Sequence, residues 1–290
     1  MTIFSKCIHT LLATFIIGIS IFSTIFLCPS LAAADFHAII VADVMDPSIG
    51  IAVQEDLKNL QNETKRIAEY TGLKLHEKIF KIDQPELLLS HLTKLKVKKN
   101  DLLMFFYTGH GYHSDAEGDT PWPCLNFKGW KGIALKDVIS ICRSKKARLT
   151  LIFSNCCNAT LPDWVTLPTV LKAKGTNQSL NIKNYKQLFL KSKGLIVMTS
   201  SQKGEYSFLF NGDCSLAKNG GIFTNAWLET LQKMSTSSTA EVNWTAFLTN
   251  TYSGVQKVMI DMQVAKDINP DGFVAIEGLE LQQHPFFIIE

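Results

Sequence analysis

Short runs that are apolar on both faces alternate along this chain with longer stretches in which apolar residues recur every three or four positions. Residues 37–44 (HAIIVADV) form the first run. With no polar side to turn toward water, such a run predicts a strand buried inside a sheet. After the turn at Pro47 and Gly50, Val53, Leu57, Leu60, Thr64 and Ile67 recur at helical spacing, and Gly72 stands where a left-handed C-cap would. A short strand is predicted over 74–82. Asp83 then has the position of an N-cap, with Pro85 in the first turn of a helix whose face carries Leu88, Leu92 and Leu95.

The alternation continues to the C-terminal third. Strands are predicted over 101–107 (DLLMFFY), 149–154 (LTLIFS) and 193–200 (KGLIVMTS), and helices over 134–142 and 221–234. A last helix is capped by Asn243 and reaches about 262. Buried strands separated by helices give an α/β fold, a mostly parallel central sheet flanked by helices on both faces. Two stretches interrupt the pattern: 113–130, rich in Asp, Gly and Pro, and 161–191, polar and Lys-rich. Irregular stretches of that length are usually functional or mobile, and exposed mobile chain is where proteolytic cleavage concentrates.

Composition narrows the class. With 46% hydrophobic and 19% charged residues in 290, the chain can bury a full core. Its formal charge of +3 is spread without a dense Lys/Arg tract, so nucleic-acid binding is not indicated. In residues 1–34 Lys6 is the only charged side chain, an apolar run covers 11–27, and Ala32-Ala33-Ala34 precedes Asp35. That is the plan of a secretory signal peptide, which predicts an exported, periplasmic or secreted protein with its folded domain at 35–290. The apolar run is near the length of a spanning helix, so an uncleaved anchor is the alternative and the only route to a membrane. Of seven cysteines, Cys7 and Cys28 fall in the signal, which leaves Cys124, Cys142, Cys156, Cys157 and Cys214. An odd number in an exported protein implies at least one unpaired thiol.

Two of the predicted strands end in reactive side chains. Residues 101–107 run into Thr108-Gly109-His110-Gly111, and residues 149–154 into Asn155-Cys156-Cys157-Asn158. In an open α/β sheet the carboxyl ends of the strands form the ligand crevice. Glycines beside His110 allow a sharp turn and close approach, and a histidine there can take a thiol proton near neutral pH. A cysteine so paired needs no metal. Neighbouring side chains on an extended segment point oppositely, so Cys156 and Cys157 cannot face His110 alike. His110, His113 and Asp115 could instead ligate a metal, but their spacing matches no recognised zinc framework. His37, His76, His91 and His284 have no companion motif and read as structural.

The segment YTGHG (residues 107–111) resembles the Tyr-Ser-Gly-His-Gly of caspases and metacaspases, and SNCCN (154–158) is similar to the Asp-Cys-Cys-Asn or Asp-x-Cys-His of bacterial caspase-like proteins. The order agrees too, with the histidine roughly fifty residues upstream of the cysteine. SSQKGEYS (200–207), GGIFTNAWLETL (220–231) and HAIIVADVMDPSIG (37–50) resemble further stretches, so the likeness covers most of 36–234.

The resemblance implies a cysteine endopeptidase acting on protein or peptide substrates through an acyl-enzyme, with Cys157 as nucleophile and His110 as general base. Backbone N–H groups of Gly111 and Cys157 would form the oxyanion hole, and no organic cofactor is needed. Alignment on the Asn after the nucleophile selects Cys157; alignment on the strand end would select Cys156. Asp115, Glu117 and Asp119 occupy the place of a metacaspase acidic loop associated with calcium (Ca2+), although three acids in a solvated loop need no ion. The lysines at 172, 174, 183, 186, 191 and 193 keep a linker soluble or mark a processing site.

One departure bears on specificity. Metacaspases carry an acid two positions before the nucleophile, which helps hold a basic P1 side chain, and here that position is Asn155. A basic preference must then come from Asp43, Asp46 or Asp56, with Asp56 favoured. An Asp preference would need arginines, and only Arg66, Arg143 and Arg148 exist. The alternative function is a non-catalytic homologue that binds peptides or proteins without cutting them.

Overall fold

The structure is a computed structural model that describes residues 34–81, 85–128, 131–160, 181–210, 220–238, 241–268 and 281–290. The chain opens with β1 (Asp35–Ala42), α1 (Gly50–Thr71), β2 (Lys74–Lys81), α2 (Pro85–Lys94) and β3 (Leu102–Thr108). Next come β4 (Gly111–Tyr112), a 3-10 turn (Asp115–Glu117), β5 (Cys124–Phe127), β6 (Lys131–Ala134), α3 (Leu135–Ser144) and β7 (Leu149–Asn155). The rest comprises α4 (Ile182–Lys186) with a π-helical turn (Gln187–Lys191), β8 (Gly194–Thr199), β9 (Leu209–Phe210), β10 (Gly220–Gly221), α5 (Ile222–Thr236), α6 (Trp244–Ile268) and β11 (Phe286–Ile289).

Six strands form the central sheet in the order β11-β8-β7-β3-β1-β2, parallel throughout except for β11. Every residue of β3 and β7 is buried, as the unbroken apolar runs predict. Alternate residues serve opposite faces. Leu103, Phe105 and Tyr107 of β3 join a core with Leu88 and Leu92 of α2 and with Val138, Ile139 and Cys142 of α3. Phe106 turns the other way, toward Phe223 and Trp227 of α5, and Phe247 and Trp244 of α6 close that cluster. Helices thus cover both faces. Gly72 caps α1 with φ +75°, and the Asn243 side chain accepts the Ala246 N–H at 2.8 Å at the start of α6.

The register sets the level of the functional loops. Ala42 pairs with Thr108, and Thr108 with Asn155, so β1, β3 and β7 all end on one line. The ladder continues past them, with Asp43 N–H donating to Thr108 O at 3.0 Å and Gly109 N–H to Asn155 O at 3.2 Å. The loops carrying His110 and Cys157 therefore leave adjacent strands at the same height.

Several expectations are corrected. Residues 113–130 are not wholly irregular: β5 and β6 form a hairpin that pairs with β4 in a three-stranded antiparallel sheet. Leu125, Phe127 and Ile133 drive it by burial in the core, but strands of four residues are too short for their alternation to stand out among Asp, Gly and Pro. Of the 161–191 stretch, residues from Ile182 onward are helical, which places Lys183, Lys186 and Lys191 on ordered turns, and residues 161–180 lie outside the described residues. Helix α6 runs on to Ile268, and β11 adds an edge strand where no element was expected. Residues 1–33, Asp83, Cys214, Lys172 and Lys174 lie outside the described residues. Among the described residues no helix is long and apolar enough to cross a membrane.

Candidate active site

His110 is held by its backbone. The Tyr107 hydroxyl lies 2.6 Å from the His110 carbonyl and 2.8 Å from that of Asn126, and Asn126 N–H donates to the same His110 oxygen at 3.0 Å. The flanking glycines are required by close approach. A Cβ on Gly111 would lie 2.6 Å from both Cys156 Sγ and Cys157 O, and one on Gly109 2.9 Å from the Tyr107 hydroxyl. The His110 imidazole Nε2 stands 3.3 Å from Asp46 Oδ2 and 3.5 Å from Ser48 Oγ.

The two cysteines differ sharply in setting. Cys156 is 2% exposed and packs in the core cluster, and its thiol is pushed far up by that burial. Its N–H donates to Ser200 Oγ at 3.0 Å, and its carbonyl accepts from Ser200 Oγ and Ser201 Oγ, each at 2.9 Å. Cys157 is partly exposed and lines one cavity with His110. Ser207 N–H donates to Cys157 Sγ at 3.3 Å, and the thiol faces Ser207 O at 3.8 Å. Burial pushes the Cys157 thiol up to about 11. In this conformation the hydrogen bonds of the thiol go to Ser207 and those of the imidazole to Asp46 and Ser48. Cys124, Cys142, Cys156 and Cys157 are all free thiols.

The cavity, about 340 Å³ of empty volume open to solvent, also carries Ile49, Ala52, Val53 and Leu209 on its walls. Asp56 lies at its base, 2% exposed. Its Oδ2 accepts from Thr108 Oγ1 (2.7 Å), Asn155 Nδ2 (3.0 Å) and Thr224 Oγ1 (3.1 Å), and its Oδ1 accepts from Gly221 N–H (3.0 Å). Burial pushes this carboxyl up to about 6 against those four donors. Gly221 has no room for a side chain, since a Cβ there would collide with the Asn155 amide.

The three acids weighed together in the sequence thus separate. Asp56 belongs to the cavity floor, Asp46 pairs with His110, and Asp43, 3% exposed, lies behind Gly109, pushed up to about 6 by burial and by Asp46. No arginine lines the cavity. Arg66 is bound to Glu63, Arg143 to Glu290, and Arg148 to the Ser192 and Phe189 carbonyls.

Residues that the sequence pattern did not single out complete the site. Gln283, fully buried, accepts the Phe208 N–H at 2.9 Å and donates to Ser200 O at 3.1 Å and Ser207 Oγ at 3.4 Å. Ser207 Oγ in turn donates to Asn155 Oδ1 at 3.1 Å. His284 donates to the Glu205 carboxylate from N–H (2.8 Å) and Nδ1 (2.7 Å), while Glu205 O accepts Asn158 N–H (2.9 Å). The segment 205–208 is therefore clamped between the loop that carries Cys157 and the tail before β11. A lone Gln-Gln-His in a polar stretch gives no signal of this; only the tertiary fold brings it there.

The acidic loop is engaged by lysines, Glu117 with Lys136 at 2.7 Å and Asp119 with Lys203 at 3.1 Å. His113 lies 3.9 Å from Asp115, while His110 turns to Asp46. Among the described residues, the only group of three His, Cys, Asp or Glu side chains close enough to share a metal ion is Asp35, His37 and Asp101, at the other end of the strands. There Lys98 and His76 already pair with Asp35, and His37 with Asp101.

A family model for the caspase domain of peptidase family C14 matches residues 52–265. Among solved structures, caspase-1 from Spodoptera frugiperda superposes with a TM-score of 0.52 at 15% identity, covering 88% of this chain and 86% of that one. No curated protein matches the chain. The matched span takes in both strand-end loops and the cavity floor from Ala52 onward, and on it the chain belongs to the caspase-domain family of cysteine peptidases.

Proposed function

We propose that this protein is a cysteine endopeptidase that cuts peptide bonds with Cys157 as nucleophile and His110 as general base. The observation that carries the reading is the convergence of a partly exposed Cys157 and of His110 on one cavity, from strand ends aligned by the β3–β7 register. With its thiol pushed up to about 11 by burial, Cys157 is protonated at neutral pH. Attack therefore needs a base at hand. Rotation about the Cα–Cβ bond exchanges Ser207 O for the imidazole, which takes the thiol proton as sulfur adds to the carbonyl carbon. The imidazolium then protonates the leaving amine, and water hydrolyses the thioester to regenerate the thiol. The N–H groups of Gly111 and Cys157 are the proposed donors to the oxyanion.

The Asp56 carboxylate, with Asn155 beside it, is the proposed floor of the P1 pocket. A carboxylate already holding four donors has little capacity left for a cation, so a basic P1 side chain is preferred only modestly, and small or polar ones are tolerated. The proposed mechanism uses no organic cofactor. Export through residues 1–34 and processing within 161–193 belong to the same proposal and rest on the sequence pattern. A second reading, a peptide-binding homologue without catalysis, is favoured by one observation, the hydrogen bonding of the thiol to Ser207 rather than to His110.

Cys157→Ala and His110→Ala should each lower cleavage of a peptide library at least about a thousandfold, with a double mutant no worse than either. Cys156→Ala should remain active and lose only stability, about 1–2 kcal/mol. Activity that survives Cys157→Ala and disappears in Cys156→Ala would reverse the assignment. For P1, a carboxyl at about 6 is neutral below that pH and charged above it. The rate ratio of Arg or Lys over Ala substrates should thus rise through pH 6, and Asn155→Asp should raise it further. A flat ratio, or a dominant Asp-P1 signal, would contradict this pocket. Gln283→Ala, which strands buried partners on Phe208, Ser200 and Ser207, should lower kcat about tenfold in a folded protein. Unchanged turnover would remove its role in holding the 205–208 segment.

A further inference from the structure

Asp46 lies in the loop between β1 and α1 and is held there by four hydrogen bonds. Its Oδ1 accepts from Ser48 N–H (2.8 Å), Ser48 Oγ (2.5 Å) and Ile49 N–H (3.1 Å), and its carbonyl accepts from Gly50 N–H (2.8 Å). With one oxygen so fixed, the other is aimed, and Oδ2 meets His110 Nε2 at 3.3 Å. The carboxylate stands at the N-terminal end of α1, where the helix dipole favours negative charge. Burial pushes this carboxyl up, but the Ser48 and Ile49 donors and the charge of His110 outweigh it and leave Asp46 below the ordinary carboxylate range.

An imidazole held this way has defined chemistry. Asp46 accepts from Nε2–H, which leaves Nδ1 as the lone-pair nitrogen that can take a proton. We propose that Asp46 is a positioning residue that completes a Cys157–His110–Asp46 triad, orienting the imidazole, fixing its tautomer and stabilising the imidazolium formed when the thiol proton moves to Nδ1. This rests on the peptidase reading. Asp46 itself takes no proton; it stays ionised while the positive charge appears and disappears beside it.

Other ionisable groups face the same space. Asp43 from the end of β1 and Asp56 from α1 are buried carboxyls pushed up to about 6, Cys157 lies on the loop after β7, and Tyr107 holds the His110 carbonyl. Among the acids of the described residues, Asp46 alone is within hydrogen-bonding reach of the imidazole, which makes Asp43→Asn the control for loss of a nearby charge.

Asp46→Asn is the decisive variant because the amide oxygen can still accept from Ser48 and Ile49, so the loop and helix start keep their support. Its NH2 group would face Nε2 and favour the opposite tautomer. In the full-length protein, kcat should fall about a hundredfold or more with KM changed less than about threefold. The acidic limb of the kcat/KM profile should move to lower pH, because the neutral imidazole is the active base and an imidazolium without its carboxylate loses its proton sooner. The melting temperature should stay near that of wild type. The ring 15N NMR shifts of His110 in the Cys157→Ala background need no turnover. They should show the Nε2–H tautomer with Asp46 in place, the Nδ1–H tautomer on Asp46→Asn, and no change on Asp43→Asn. A tautomer that Asp46→Asn leaves in place, or a wild-type pH profile in folded Asp46→Asn, overturns the proposal. If wild type cuts no peptide yet the tautomer switches, the pairing stands and the peptidase reading fails.

Discussion

One buried carboxylate ties the cavity together. Asp56 comes from α1, and its four donors come from the end of β3 (Thr108), the end of β7 (Asn155), β10 (Gly221) and the first turn of α5 (Thr224). Burying such a group unpaired would cost several kcal/mol, and the charge-assisted bonds offset that cost only while every donor stays in place. The geometry of five segments is thereby specified around one point. Asn155 sits two residues before Cys157, and Thr108 two before His110, so the same hub that shapes the floor also fixes the bases of the loops that carry His110 and Cys157.

Three acids within a short stretch of chain acquire different tasks from their settings, in the way that paired carboxyls in active sites are separated by environment. Asp46, partly exposed and well supplied with donors, remains ionised beside a histidine. Asp43 and Asp56, deep under the strand ends, are pushed up to about 6 and take neutral or charged form with modest changes of pH. The thiol is treated the opposite way: burial pushes it up and keeps it protonated, while the Ser207 N–H that donates to its sulfur offsets this only in part.

Much of this fold was legible because it rests on burial. Unbroken apolar runs at β1, β3 and β7 have no other stable place than the middle of a covered parallel sheet, and Gly72 and Asn243 mark helix ends by local backbone chemistry alone. The reactive ends of β3 and β7 could be read for the same reason, since strand ends of a parallel sheet share one crevice. What escaped depends on tertiary partners. Phe286-Phe287-Ile288-Ile289 is too short to declare itself a strand, and the β5–β6 hairpin hides its alternation in four-residue pieces. Nothing local distinguishes Gln283 from a surface glutamine. Asp46 was visible as a candidate acid for the P1 pocket, but only the turn made by Ser48 and Ile49 directs it to His110 instead.

The central claim is that His110 activates Cys157, and no other thiol, toward a carbonyl. The most direct measurement is mass-spectrometric mapping of the adduct formed with a peptidyl chloromethyl ketone or a similar electrophile in the native protein at neutral pH. The account predicts a single stoichiometric adduct on Cys157, formed at least about a hundredfold more slowly in His110→Ala and absent from Cys156, whose thiol is buried in the core. An adduct on Cys156, or labelling of Cys157 at the same rate with and without His110, would contradict it.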